Sequence, residues 1–564
     1  MPGPNCFCCP GRGPARPVSC PGRRVNSRMQ ERLHTTAINE AYPLCRSVVG
    51  ADAWKRAIAA CGPLQRPEDL PEALRSLRED QVPMYLPDLA RLEMIRRSLS
   101  SGNGSIKTAV ETIVVNPTVQ IVEVAWTGLT DLFGGDRDGA ATKPVPGSER
   151  VLAWREPATG TARIRPARDE DFLVLKVIME ERSPDAVAAE GGIPVGAIEA
   201  AINRAVESGL LLAPPSQIRR DPEVFRKVRE SDEELLSSSS FTLQWHITQA
   251  CDLHCKHCYD RTERSFLSLE QAVSVLDDLR DFCKARHVQG AVSFTGGNPL
   301  LHPQFIEIYQ AAAVRGFSTA ILGNPTSRER MGDIISIQMP SFFQVSLEGL
   351  AEHNDAIRGS GHFDRVMRFL DVLRELDVYS MVMLTLTNEN IDQVIPLAEA
   401  LRTKVDVFHC NRLALFGEGA NLTMPDRKKY RAFLESYCAA AALNPIMGLK
   451  ENLINILRHE KGQDLFGGCT GHGCGAAFNF VSLLADGEVH ACRKFPSLIG
   501  NIGTHGLAEI YDSDLARRFR LGPTACRDCT IRAACGGCLA SASSSGLNIF
   551  QDKDPFCFLS DSAR

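Results

Sequence analysis

The run Cys251-Asp-Leu-His-Cys255-Lys-His-Cys258-Tyr259 directly follows the strand-like segment Phe241 to Gln249. Iron-sulfur cubanes are normally held by four cysteine thiolates, so a three-cysteine loop can hold three corners and leave the fourth iron open to a reacting ligand. His254 and His257 raise zinc as a rival. A catalytic zinc needs three ligands in tetrahedral geometry, and three thiols on one tight loop suit a cluster better. A second group lies at the other end of the chain. Cys474 is followed by twelve residues, Gly487, four more and Cys492; then come Cys526, Cys529, Cys535, Cys538 and Cys557, with Cys469 just upstream. Eight thiolates suffice for two fully ligated clusters, and full ligation suits electron transfer rather than substrate binding. A zinc ribbon would also use such CxxC pairs, but it leaves the upstream triad unexplained.

The elements that must position the first loop alternate. Strand candidates are Phe241 to Gln249, Gly290 to Phe294, Phe317 to Leu322, Phe342 to Leu347, Tyr379 to Leu386 and Val405 to Cys410. Helical periodicity fills the gaps, as in Leu269 to Arg286 and His362 to Leu376. This order predicts a parallel sheet with helices outside and functional loops at the C-terminal strand ends.

With those residues in hand, the chain resembles the radical S-adenosylmethionine (radical SAM) enzymes, whose signature has the Cys251, Cys255, Cys258 spacing. The fold implied is α/β: a partial (β/α)6 barrel, here spanning 238–450. Thr295-Gly296-Gly297-Asn298-Pro299 is similar to the family's Gly-Gly-Glu-Pro loop, whose backbone meets the SAM amino group, with Asn in place of Glu. Ser346-Leu-Glu348-Gly349 resembles Ser-x-Asp-Gly, which lies near the SAM ribose and methionyl part. Arg358, in His353-Asn-Asp-Ala-Ile-Arg358-Gly, matches an arginine that can pair with the SAM carboxylate. Tyr259 matches an aromatic near the adenine. Leu322-Gly323-Asn324-Pro325 holds the third strand end, as either a turn or a site.

Residues 465–564 resemble the SPASM extension, with two rather than three residues between Cys535 and Cys538. The family pattern implies one auxiliary 4Fe-4S cluster on Cys469, Cys474, Cys492 and Cys538 and a second on Cys526, Cys529, Cys535 and Cys557. Together with the SAM-binding 4Fe-4S cluster that makes three. Sulfatase-maturing relatives carry Asp after the third auxiliary cysteine, whereas Arg493 follows Cys492 here. Other cysteines, Cys45, Cys61, Cys283, Cys410 and Cys438, lie in apolar segments and read as small hydrophobes, with a substrate-facing position open to Cys410.

Upstream, 1–28 is rich in Pro, Gly, Arg and Cys without periodicity, and reads as a disordered tail or an over-extended start before Met29. Residues 29–133 read as helical, with Ala53 to Cys61, Pro67 to Glu79 and Pro87 to Ser100 as helices, and Gly134 to Gly147 as a linker. Residues 149–215 look like a winged-helix module: strands Arg150 to Arg155 and Thr161 to Arg165, then helices Asp169 to Glu181, Pro184 to Glu190 and Pro194 to Ser208. The third helix is apolar and acidic, poor equipment for a DNA groove, and a leader peptide adding a strand fits better. The whole arrangement resembles the selenobiotic-type peptide maturases, including the stretch Asn116 to Trp126.

The resemblance implies an oxidoreductase that cleaves SAM reductively to a 5'-deoxyadenosyl radical and modifies a ribosomally made precursor peptide. Its partner would be a low-potential electron donor such as ferredoxin or flavodoxin. Alternatives are a folded-protein or small-molecule substrate, or an iron-sulfur regulator on DNA. A net charge of −5 with mixed signs argues against nucleic acid. The lack of a long apolar run or signal-peptide core leads to a cytoplasmic expectation without a membrane partner.

Overall fold

The computed structural model describes residues 36–101, 109–134, 143–225 and 233–559; the expected tail over 1–28 lies outside the described residues. The chain divides into two compact units, Met1–Ile106 with Asn116–Asp169, and Lys107–Val115 with Glu170–Arg564.

The first unit holds helices Pro43–Val49, Ala51–Cys61, Leu70–Arg75 and Leu86–Ser101 beside an antiparallel sheet, β2 (Gln120–Thr127), β3 (Val145–Arg155) and β4 (Ala162–Pro166), in that order. The predicted helix Pro67 to Glu79 is shorter, a 3-10 turn at Pro67–Asp69 leading into Leu70–Arg75. The sheet corrects two further expectations. Val145 to Gly147, read as linker, begin β3, and residues 149–215 do not form one module. Val122 and Val124 of β2 with Val151 and Ala153 of β3 share a core with Leu89 and Leu92, so burial ties these strands to the N-terminal helices.

The second unit starts with a short pair, β1 (Val114–Val115) against β5 (Leu211–Leu212), and the three helices Asp169–Met179, Pro184–Gly191 and Val195–Glu207. The third helix lies against the barrel wall. A Cβ on Gly196 would stand 2.1 Å from the Gly316 nitrogen, so the two backbones touch where any side chain would intrude. Around that contact Arg280 donates to Glu199 at 2.6 Å and to Asp185 at 3.0 Å. The face a DNA-reading helix would present is therefore spent on docking.

The barrel sheet is formed by β6 (Ser240–Thr248), β7 (Gln289–Gly296), β8 (Ser318–Leu322), β9 (Phe343–Ser346), β10 (Ser380–Leu386) and β11 (Val407–Arg412), all parallel and in sequence order. Phe241, Leu243, Trp245, Phe294, Ile321 and Phe343 are buried on the helix side, as sheets covered by crossover helices require. Ser268 caps the first crossover helix, Leu269–Ala285, with a reciprocal bond pattern to Gln271. Cys410 belongs to this core, which rules out its facing substrate. The sheet continues past β6 into β12 (Phe480–Leu483), parallel to it, then antiparallel β13 (Glu488–His490) and β14 (Leu498–Asn501). Among the described residues no helix is long and apolar enough to cross a membrane.

Gly196→Ala should force the docked helix from the barrel and cost about 1–3 kcal/mol. A chemical-denaturation midpoint unchanged from wild type would contradict this packing.

Candidate active site

β6 ends at Thr248, and Cys251, Cys255 and Cys258 follow on an irregular loop whose shape is set by its neighbours. Gly297 and Asn298 donate backbone bonds to the Thr248 and Ala250 carbonyls at 2.9 and 2.7 Å. A Cβ on Gly296 would lie 2.2 Å from the Thr248 oxygen, and one on Gly297 2.3 Å from that of Ala250, an approach open only to glycine. Pro299 then opens a 3-10 turn, Pro299–Leu301. On the other flank Glu418 N–H donates to the Cys258 carbonyl at 2.8 Å, with Gly417 at φ +55° pressed on the Tyr259 carbonyl. Lys256 N–H donates to the Ile357 carbonyl at 3.0 Å.

All three thiols are free, Cys251 exposed and the other two partly so. Donors face them: Arg358 Nη1 stands 3.6 Å from Cys255 Sγ and Asn324 Nδ2 3.7 Å from Cys251 Sγ. Asn324 and Asn298 both donate to Asp252 Oδ1, at 2.6 and 3.0 Å. Asn298 is therefore explained within this chain, because a Glu there would set a second carboxylate against Asp252.

Below the loop, Glu348 and Arg358 are brought together. Arg358 Nη2 and Nε donate to Glu348 Oε1 at 2.5 and 2.9 Å, and the Thr385 N–H donates to Oε2 at 2.8 Å. Burial alone would raise the Glu348 carboxyl; His257, Arg358 and the Thr385 amide hold it below its ordinary value. His257 stands 3.4 Å from Glu348; burial pushes it down to about 4, against the opposing pull of that carboxylate. Asn354 and Asn390, both buried, fix the Glu348 backbone through its N–H at 3.1 Å and its carbonyl at 2.9 Å. Tyr259 is turned inward, its hydroxyl 3.0 Å from the His246 ring, and burial lowers that imidazole to about 3. Ser346, next to buried Val345, takes the opposite face of β9, in register with Met383 of β10.

The C-terminal thiols sort into two groups. Cys469, Cys474, Cys492 and Cys538 line one cavity of about 50 Å³ with Asn452, Lys450 and Lys494. Burial and then Cys538 and Cys469 push the Cys474 thiol up to about 11. Cys526 is pushed up to about 11 by burial, Cys529 and Cys557, and Cys535 feels Cys529, Cys526 and Cys557. Gly536 and Gly537, both at φ +64°, form a left-handed turn that lets Cys535 and Cys538 join different groups despite the two-residue gap. Asp554 links the groups. It accepts from Cys538 N–H at 2.8 Å through its side chain and from Cys557 N–H at 2.9 Å through its carbonyl. It also receives both guanidinium nitrogens of Arg412, at 2.9 and 2.7 Å.

Residues 245–401 match the radical SAM superfamily, and residues 474–530 match SPASM, an iron-sulfur cluster-binding domain. The protein is a radical SAM enzyme with a C-terminal SPASM domain. Among curated relatives, it is 28% identical over 341 residues to the mycofactocin maturase MftC of Mycolicibacterium smegmatis, covering 56% of this chain and 82% of that one. It is 24% identical over 343 residues to an AdoMet-dependent heme synthase of Methanosarcina barkeri, covering 56% and 95%. Among solved structures, Streptococcus suis SuiB bound to its precursor peptide SuiA aligns with TM-score 0.47 at 15% identity, over 73% of this chain and 97% of that one.

The residues of this radical SAM enzyme fit the groups its two domains imply. Free thiols face N–H donors in the first loop, and four of the C-terminal thiols share one cavity. Among the described residues no three His, Cys, Asp or Glu are grouped to grip a single metal ion. Sequence reasoning missed His246, Asp252, Asn354 and Asn390, and weighed His257 only as a zinc ligand. Only the pattern of small polar residues near strand ends hinted at the asparagines.

Glu348→Gln removes the counter-charge of buried Arg358 and should cost about 3–5 kcal/mol at neutral pH. The sign for wild type follows from a lowered carboxyl: its contribution is present above the unfolded value and disappears as pH falls through the folded one. The stability gap between variant and wild type should therefore narrow on acidification, and denaturant titrations showing a constant gap would contradict the pairing.

Proposed function

We propose that this enzyme modifies a ribosomally made peptide by an oxidation that begins with hydrogen abstraction. In this reading Cys251, Cys255 and Cys258 hold the SAM-binding cluster. Cys469, Cys474, Cys492 and Cys538 hold one auxiliary cluster; Cys526, Cys529, Cys535 and Cys557 hold the other. The clusters, when bound, supply the electron that cleaves SAM and accept one from the substrate. The observation that carries this assignment is the sorting of the eight C-terminal thiols into two groups of four.

The chain's own residues do the positioning. The backbone of Gly296 to Pro299 is placed to meet the SAM amino group, and Arg358, already at Cys255, to pair with its carboxylate. Ser346 and Glu348 set the floor below. Glu348 acts by holding Arg358 in place, since its carboxylate is fully engaged. Tyr259, anchored on His246, closes the inner side of the loop. Low-potential electrons would come from a ferredoxin or flavodoxin. The domain division proposed is an N-terminal region of helices and the β2-β3-β4 sheet, a peptide-recognition region in the three helices that follow β4, the catalytic core at 238–450 and the auxiliary-cluster domain at 465–564.

The peptide substrate is supported by the likeness to a mycofactocin maturase. A small-molecule substrate is the second reading, supported by heme synthases that match over 82–95% of their length.

Cys255→Ala should abolish 5'-deoxyadenosine formation from SAM under reducing, anaerobic conditions and lower bound iron by about four atoms per chain. Continued formation of 5'-deoxyadenosine, or an unchanged iron content, would refute the role given to this loop.

A further inference from the structure

Three arginines lie between the two C-terminal thiol groups, and the positioning described above uses none of them. Arg220, Arg520 and Arg532 line a small cavity of about 20 Å³ together with Cys474 of the first group and Cys526 of the second. The two groups meet here: Cys474 N–H donates to the Cys535 carbonyl at 3.0 Å, and a Cβ on Gly536 would stand 3.5 Å from that of Cys474. Arg220 comes from the segment before β6, its own N–H fixed on the Leu236 carbonyl at 2.7 Å. Arg532 belongs to the second group's loop, where its N–H donates to the Cys529 carbonyl at 3.1 Å and its carbonyl accepts from Cys535 N–H at 3.3 Å.

Carbonyl dipoles and aromatic faces hold these guanidinium groups. Arg220 Nη2 donates to the carbonyls of Cys474 and His472 at 2.6 and 3.2 Å, and Nη1 to that of Arg520 at 2.6 Å. Arg520 Nη1 donates to the Tyr511 and Ala477 carbonyls at 2.7 and 3.1 Å, and Arg532 Nη2 to that of Leu521 at 2.5 Å. Two of them share the Phe225 ring, 4.7 Å from Arg220 and 4.5 Å from Arg532, and Phe478 lies 4.0 Å from Arg220. Such partners satisfy the donors without cancelling their charge, and an arginine keeps its proton. Arg220 and Arg532 are 5% and 6% exposed, so solvent ions screen them little. Burial lowers the pKa of Arg220, Cys474 and Tyr511 oppose that shift, and Arg532 and Arg520 add to it, as like charges collected on one spot must.

We infer that Arg220, Arg520 and Arg532 form a positive layer that raises the reduction potentials of both auxiliary clusters, Arg220 acting mainly on the Cys474 group and Arg532 on the Cys526 group. The inference rests on the assignment of the eight thiols to two clusters and adds the residues that bias their electron exchange. Net charge is one of the levers on an iron-sulfur potential. Reduction adds one negative charge to a site already ringed by four thiolates, and fixed positive charge in a low-dielectric surround favours that reduced form. When the substrate is oxidised, one electron leaves its radical and one auxiliary cluster gains it. The arginines tilt that exchange towards the cluster without touching the substrate.

The test is a potentiometric titration of full-length, reconstituted protein followed by EPR, in a Cys255→Ala background that leaves only the C-terminal clusters. Arg220→Gln and Arg532→Gln should each lower the reduced-to-oxidised ratio of the nearer cluster at least tenfold at a fixed potential, a fall of about 59 mV for a one-electron couple. Arg220→Lys and Arg532→Lys keep the charge and should recover most of that ratio, whereas Phe225→Leu, which alters packing alone, should leave both midpoints in place. Midpoints unchanged in the Gln variants at about eight iron atoms per chain, or a Phe225→Leu shift as large as theirs, overturn the proposal. Lys variants that shift as far as the Gln variants assign the arginines to hydrogen bonding and overturn it too. If the Gln variants fail to hold their iron, Arg520→Gln decides, because Arg220 binds the backbone carbonyl of residue 520 and that change spares it; an unmoved midpoint there overturns the proposal. A parent Cys255→Ala protein that holds no C-terminal iron refutes the two-cluster reading itself, and the inference falls with it.

Discussion

The triad loop depends on backbone contacts made by other segments. Thr248, Ala250, Cys258 and Tyr259 offer their carbonyls, and loops after β7 and β11 press glycines and N–H groups onto them. A loop with little regular structure cannot fix three sulfur atoms by its own propensity, because each free residue costs about 1–2 kcal/mol of conformational entropy to order. Clamping its carbonyls from two strand ends, and its Lys256 amide from the helix after β9, makes the sulfur positions a property of the barrel.

Charge is handled in the same spirit. Arg412, at the end of β11, is 1% exposed and lies between Asp554 at 2.7 Å and Glu451 at 2.9 Å. Burial would lower its pKa, but the two carboxylates hold it well above the ordinary value. Because Asp554 also binds Cys538, this one guanidinium couples the last barrel strand to both thiol groups. A buried ion pair is weak evidence for added stability; here its use is to fix the register of one part of the chain against another.

The six barrel strands were legible because strands covered on both faces are written as near-continuous apolar runs, and the cysteine spacings were legible because their intervals are short. What escaped were relations between distant residues. Strand β3 reads locally like the start of a winged helix, yet its apolar face belongs to Leu89 and Leu92. Gly196 reads as a helix-weakening residue until Gly316 is seen against it. Asn298 reads as a departure from its family until Asp252 and Asn324 complete its network. Periodicity reports which face is apolar, and says nothing about which partner will cover it.

The parallel seating of β12 on β6 has a consequence for how the chain is made. Ser482 and Gln244, which meet across these strands, are 238 positions apart. At a synthesis rate of about 5–20 residues per second, β6 waits roughly 10–50 s for its outer neighbour. During that interval the strand that leads into the triad loop has an open edge, the kind of edge that pairs with other chains. Although β6 is the first barrel strand to be made, it is the last to have both of its edges covered, and that order is written into the topology.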